Sequence, residues 1–133
     1  MMRAVFLRIG LGLALYLANA QSAFALDVQQ AVTNIQYIEV ARLDGQACER
    51  SKPGATQEFK EWFATVQYVQ KKSIKVIEES ARKKGVSEEG IASVVAQSIA
   101  VLNRQVADEY RFSARRCAAI KKTFNFYKSQ LQE

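Results

Sequence analysis

The chain has 133 residues, 49% of them hydrophobic and 24% charged, with 19 Lys and Arg against 13 Asp and Glu. That mixture is the composition of one folded domain, and a single proline with six glycines excludes collagen-like and low-complexity chains. There is no histidine, which removes histidine general bases, Ser-His-Asp and Cys-His nucleophiles, His-ligated haem and most zinc sites.

Residues 1–25 have the layout of a cleavable secretory signal. Arg3 and Arg8 give a positive start, Ile9 to Ala18 is apolar, and small residues follow at Ala18, Ala20, Ala23 and Ala25. Signal peptidase requires small side chains one and three positions before the cut, so cleavage after Ala25 fits best and cleavage after Ala20 is the fallback. A membrane anchor needs roughly 20 apolar residues, and Asn19, Gln21 and Ser22 interrupt this run too early. The expectation is an exported protein, periplasmic in the first instance or else extracellular. The remaining chain, 26–133, then forms one basic helical domain with a net charge of about +4.

The first helix is predicted over about 27–43, where Val28, Ala31, Val32, Ile35 and Ile38 recur at helical spacing. Asp44-Gly45 reads as a turn, followed by a loop through Ser51, Lys52, Pro53 and Gly54. The second helix is predicted over about 56–84. Thr56 is its expected N-cap, its apolar stripe includes Phe59, Trp62, Phe63, Val66, Val69, Ile74 and Ile77, and Gly85 is its left-handed stop. Ser87 then opens a third helix, predicted over about 87–131, with no proline or glycine after Ile91. Its seam from Val106 through Tyr110, Ser113, Cys117, Ile120, Phe124, Tyr127 and Leu131 alternates steps of four and three. The expected architecture is all-α, a small three-helix bundle with one long C-terminal helix; a break near Phe112-Ser113 is the alternative.

Cys48 and Cys117 are the only cysteines. An even count in an exported chain points to a disulfide, and closing so long a loop would contribute about 4 kcal/mol. A hairpin of helices two and three turning near Val86 sets Ala55 opposite Cys117, with Cys48 just before it in the connection. Both sulfurs thus fall at the same end of the bundle.

No residue pattern points to catalysis. The carboxylate pairs Glu78-Glu79, Glu88-Glu89 and Asp108-Glu109 are adjacent in sequence, so on a helix they diverge by about 100°. There is no phosphate-binding glycine loop, no nucleophile elbow and no metal-ligand cluster, so neither cofactor nor metal is expected.

The informative segment is the C-terminal third, where six basic residues between Arg111 and Lys128 stand with no acidic one. Phe112, Arg115, Ala119, Lys122 and Phe126 form one stripe on a continuous helical projection. The simpler reading packs Phe112 and Phe126 against the first helix, with the Arg and Lys stems flanking that contact. The other reading leaves Phe112, Arg115, Lys122 and Phe126 exposed as a basic-aromatic contact strip. Its partner would be another protein of the envelope or the extracellular space, in an adaptor, chaperone-like or assembly role, with no catalysis. Binding of an anionic membrane or another polyanion is the alternative, and nucleic acid fits poorly with so modest a charge.

Overall fold

The computed structural model describes residues 26–133; the expected export signal, residues 1–25, lies outside the described residues. Among the described residues there are five helices and no strand: α1 Val28–Cys48, α2 Ala55–Lys83, α3 Glu88–Glu109, α4 Ala114–Ala118 and α5 Ile120–Gln130. They pack as an all-α bundle joined by a Cys48–Cys117 disulfide, whose Cα atoms are 5.1 Å apart.

α1 is the central helix. A capping box opens it: the Gln30 N–H donates to the Asp27 carboxylate at 2.8 Å, and the Asp27 N–H donates to the Gln30 side chain at 3.0 Å. It is buried around most of its circumference, including Asn34, Gln36, Glu39 and Asp44. The apolar stripe legible in the sequence is therefore only one of its packed faces. Burial of this kind is tolerated where polar side chains find partners, and three of these four do. Glu39 pairs with Arg42. The Asn34 amide donates to the Ser73 hydroxyl at 3.0 Å and the Gln132 carbonyl at 2.8 Å, while the Gln132 N–H returns a bond to the Asn34 side-chain oxygen at 2.8 Å. Asp44 is described below.

Helix α1 runs through Asp44 and Gly45 to Cys48, so the turn expected there is absent. Gly45 serves a different purpose: a Cβ at this position would lie 2.9 Å from the Phe59 Cβ. α1 and α2 approach closely here, and the helix continues through Gly45 despite glycine's cost of about 1 kcal/mol. Cys48 consequently ends a helix rather than sitting in the connection.

The true connection is short and held by Glu49. Its carboxylate accepts from the Thr56 N–H at 2.8 Å and the Gly54 N–H at 3.0 Å, and these bonds, Thr56 foremost, hold its pKa below the usual carboxylate value. Gly54, with φ 98°, occupies the N-cap position expected for Thr56. At the other end of α2 the expectation holds. Gly85 has φ 89°, the Val86 N–H reaches the Ala81 carbonyl at 3.1 Å and the Gly85 N–H reaches Arg82 at 3.0 Å, a Schellman stop.

The C-terminal third departs most from a rod. α3 ends at Glu109, Tyr110 and Ser113 have extended backbone, and Ser113 accepts from the Arg116 N–H to start α4. The break therefore lies where Phe112-Ser113 allowed it, and a second irregularity falls at Ala119. The arm then turns back along the bundle. Cys117 is bonded to Cys48 near the start of α2, whereas Gln132 reaches Asn34, near the other end of α1 and itself bonded to Ser73 of α2. Phe124 is buried among Phe59 and Trp62, its ring centroid 5.5 Å from that of Trp62.

Candidate functional site

The four strip residues are all exposed, Phe112 at 57% and Phe126 at 52%. Phe112 and Phe126 thus do not pack against the first helix, as the simpler reading had it. The reason is the broken arm. With α3, α4 and α5 as separate pieces, the single stripe drawn on a continuous helix is divided: Phe112 lies in the extended break, Arg115 on α4, and Lys122 and Phe126 on α5.

Each exposed member is held by a buried or half-buried neighbour in sequence. Phe112 follows two residues after Tyr110, Arg115 precedes Arg116, Lys122 follows buried Ile120, and Phe126 precedes buried Tyr127, with ring centroids 6.0 Å apart. Three of those four anchors meet on one carboxylate. Asp44, fully buried, accepts from the Tyr110 hydroxyl at 2.5 Å, the Tyr127 hydroxyl at 2.6 Å, and the Arg116 guanidinium through Nε at 3.1 Å and Nη2 at 3.1 Å. Arg116 also donates to the Arg111 carbonyl and lies over the Tyr110 ring at 5.7 Å.

The chemistry of this cluster is one of mutual stabilisation. Burial pushes the Tyr127 hydroxyl well above an ordinary tyrosine, and its bond to the Asp44 carboxylate adds to the effect. The same causes raise Tyr110 to about 12. Burial disfavours the Arg116 charge, but the hydrogen bond and negative charge of Asp44 outweigh it, so Arg116 is raised overall. A carboxylate this saturated positions backbone; both its oxygens are already engaged.

The exposed charge around the arm is one-sided. Arg111, Arg115, Lys121, Lys122 and Lys128 are all exposed, whereas Arg116 points into the cluster. An open cleft of about 400 Å³ lies between the α1–α2 connection and the α4–α5 joint. Lys52, Lys121 and Lys122 line it together with Glu58, which meets Lys121 at 3.4 Å. Lys52 thereby extends the basic face beyond the C-terminal third, an addition that sequence spacing could not show. Among the described residues no group of three or more Cys, Asp or Glu side chains is placed to hold a metal, and no helix is long and apolar enough to cross a membrane.

The tyrosines outside the apolar stripes take separate roles. Tyr37 packs on Tyr127 at 6.1 Å between ring centroids, while Tyr68 is exposed and donates its hydroxyl to the Glu133 carboxylate. Tyr37 is therefore part of the packing beneath the arm, and Tyr68 marks where the C-terminal residues cross α2.

Comparison of the chain with known protein families, with curated proteins and with solved structures finds no match.

Proposed function

We propose that this protein is a non-catalytic, exported binding module that docks another protein of the cell envelope or the extracellular space through its C-terminal arm. The observation that carries this reading is the exposure of Phe112 and Phe126 on backbone fixed from beneath by Asp44 and the disulfide. Large exposed aromatics on a rigid frame bind at low cost in conformational entropy, and the surrounding Arg and Lys heads favour an acidic partner surface. A disulfide-stapled domain following a signal-like segment supports export.

The basic cleft and arm also suit an anionic membrane or another polyanion, the second reading, and salt distinguishes the two. The test is retention of envelope proteins and of anionic vesicles on immobilised protein, at low and high salt, for the wild type and for Phe126→Asp. A defined protein held at both salts and released by Phe126→Asp supports the module. Vesicle binding that vanishes at high salt selects the membrane reading, and a protein partner indifferent to Phe126→Asp removes the arm from consideration.

A further inference from the structure

Residues 131–133 follow α5 outside any helix, with Leu131 in extended conformation at φ −70° and ψ 142°. α1 and α2 hold this short segment mainly by its backbone. Asn34 of α1, wholly buried, donates to the Gln132 carbonyl at 2.8 Å and accepts from the Gln132 N–H at 2.8 Å. Its side-chain amide thereby satisfies both polar groups of one residue, as a neighbouring strand does when an extended peptide joins a sheet edge. The same amide donates to the Ser73 hydroxyl at 3.0 Å, and that hydroxyl, also buried, donates to the Val69 carbonyl at 2.7 Å. Ser73 thus fixes the orientation of Asn34 independently of the segment it holds.

The flanking positions are read through side chains. Half-buried Leu131 packs against the apolar cluster that contains Phe124 and Tyr127. Beyond Gln132, the Tyr68 hydroxyl donates to the Glu133 carboxylate, and the Lys72 ammonium donates to the Glu133 main-chain oxygen at 3.1 Å. Gln132 itself is exposed. The site therefore takes an apolar residue, the backbone of the next residue whatever its side chain, and then an acid. A segment this small, with Tyr68, Gln132 and Glu133 all exposed, opens locally without unfolding the domain. Opening strips the buried Asn34 amide of its partners on Gln132, and a buried polar group left unpaired is unfavourable. The vacated site therefore favours another backbone of the same shape.

We propose that Asn34, Ser73, Tyr68 and Lys72 form a peptide-binding site, occupied here by the chain's own residues 131–133. Its ligand is an extended segment of another protein with an apolar residue two positions before an acidic one. The chain's own segment is a built-in competitor, present at an effective concentration on the order of 1 mM, so a partner segment binds only by displacing it. The site includes none of Phe112, Arg115, Lys122 and Phe126, and it does not rest on the role assigned to the arm.

The test is a nuclear magnetic resonance titration of the isotope-labelled chain, read at the Asn34 side-chain amide, with the peptide Ser-Gln-Leu-Gln-Glu, the sequence of residues 129–133. Gln132→Pro removes the backbone N–H that Asn34 accepts and so opens the site at an exposed position. That variant is expected to bind the peptide with a Kd on the order of 1 mM, about tenfold more tightly than the wild type. Methylation of the corresponding backbone nitrogen in the peptide, which leaves the protein untouched, should abolish binding. Lys72→Glu in the Gln132→Pro background should weaken it about threefold or more. Gln132→Pro that fails to bind, wild type and Gln132→Pro that bind equally, or a methylated peptide that binds like its parent each overturns the proposal. Wild-type Asn34 signals that shift with the protein's own concentration would make a second copy the donor of the segment, which overturns the choice of another protein.

Discussion

The Tyr127 hydroxyl donates to the buried Asp44 carboxylate at 2.6 Å across 83 residues of sequence. This bond fastens the last helix to the central one, and Arg116 and Tyr110 close on the same carboxylate from the segment between α3 and α5. Asp44 is therefore the most sensitive polar position in the domain. Asp44→Asn keeps the size but removes the charge that faces a partly buried guanidinium. The expected loss is about 2–4 kcal/mol by chemical denaturation. Tyr127→Phe leaves Asp44 its other donors and should cost less, about 1–2 kcal/mol.

The same cluster sets an alkaline limit. Tyr110 and Tyr127 have folded-state pKa values above the ordinary tyrosine value, Tyr110 at about 12. The unfolded chain gives up these protons first, near pH 10. The stabilisation is thus complete below pH 10 and is lost as pH rises towards 12. Denaturation midpoints should be level up to about pH 9 and fall beyond it, more gently in Tyr110→Phe. A midpoint that rises above pH 10 would contradict the arrangement.

The disulfide gives a stability prediction of its own. Cys48 and Cys117 are separated by 69 residues, and opening that loop by Cys48→Ser/Cys117→Ser should cost about 4 kcal/mol. No free cysteine is present among the described residues. Alkylation of the untreated protein followed by mass measurement should therefore find no labelled thiol, and full labelling should appear only after reduction in denaturant.

Phe124 and Phe126 are two residues apart and give opposite results. Phe124 is 1% exposed and Phe126 52%. Phe124→Ala should lower stability by about 3–5 kcal/mol, whereas Phe126→Asp should cost under about 1 kcal/mol and show its effect in partner retention. If Phe126→Asp melts like Phe124→Ala, the arm is a core element and no binding surface.

Gly45→Ala separates helix propensity from packing. In an exposed helix the change would add about 1 kcal/mol. Here the new methyl meets the Phe59 Cβ at 2.9 Å, a backbone-near atom that cannot swing away. The expected outcome is a net loss of about 1–3 kcal/mol.

Much of the fold was legible where local and tertiary signals agree. α2 has its stripe, its acidic first turn, its basic last turn and its glycine stop in register with the structure. The cysteine pairing followed from there being two cysteines in a chain read as exported, and the hairpin register agreed with it. The misread places are those where a distant contact overrides a local signal. Asp44-Gly45 has turn composition, but the acid is retained in a helix by Arg116 and two tyrosines, and the glycine by the approach of Phe59. The alternating seam from Val106 to Leu131 runs unbroken through Tyr110 and Ser113 because buried residues keep their order even when the helix does not. Nothing local separates Arg116, turned inward, from Arg115, left outside. The clue available was the spacing Ala41, Asp44, Cys48, which continues the first helix past the expected turn and puts Asp44 on a packed face. The exposure of Phe112 and Phe126 was not legible, because it depends on the chain turning back at the break.

The dependence of α1 on the far end of the chain has a consequence for the timing of folding. A ribosome releases α1 early, yet Asn34 needs Gln132 besides Ser73, and the partners of Asp44 are Tyr110, Arg116 and Tyr127. Until those residues emerge, the central helix carries polar groups that cannot be buried at low cost, and the nascent chain has no reason to commit to a compact state. A chain cut short before Tyr110 is therefore expected to lack a stable compact state, which limited proteolysis of the truncated domain would show.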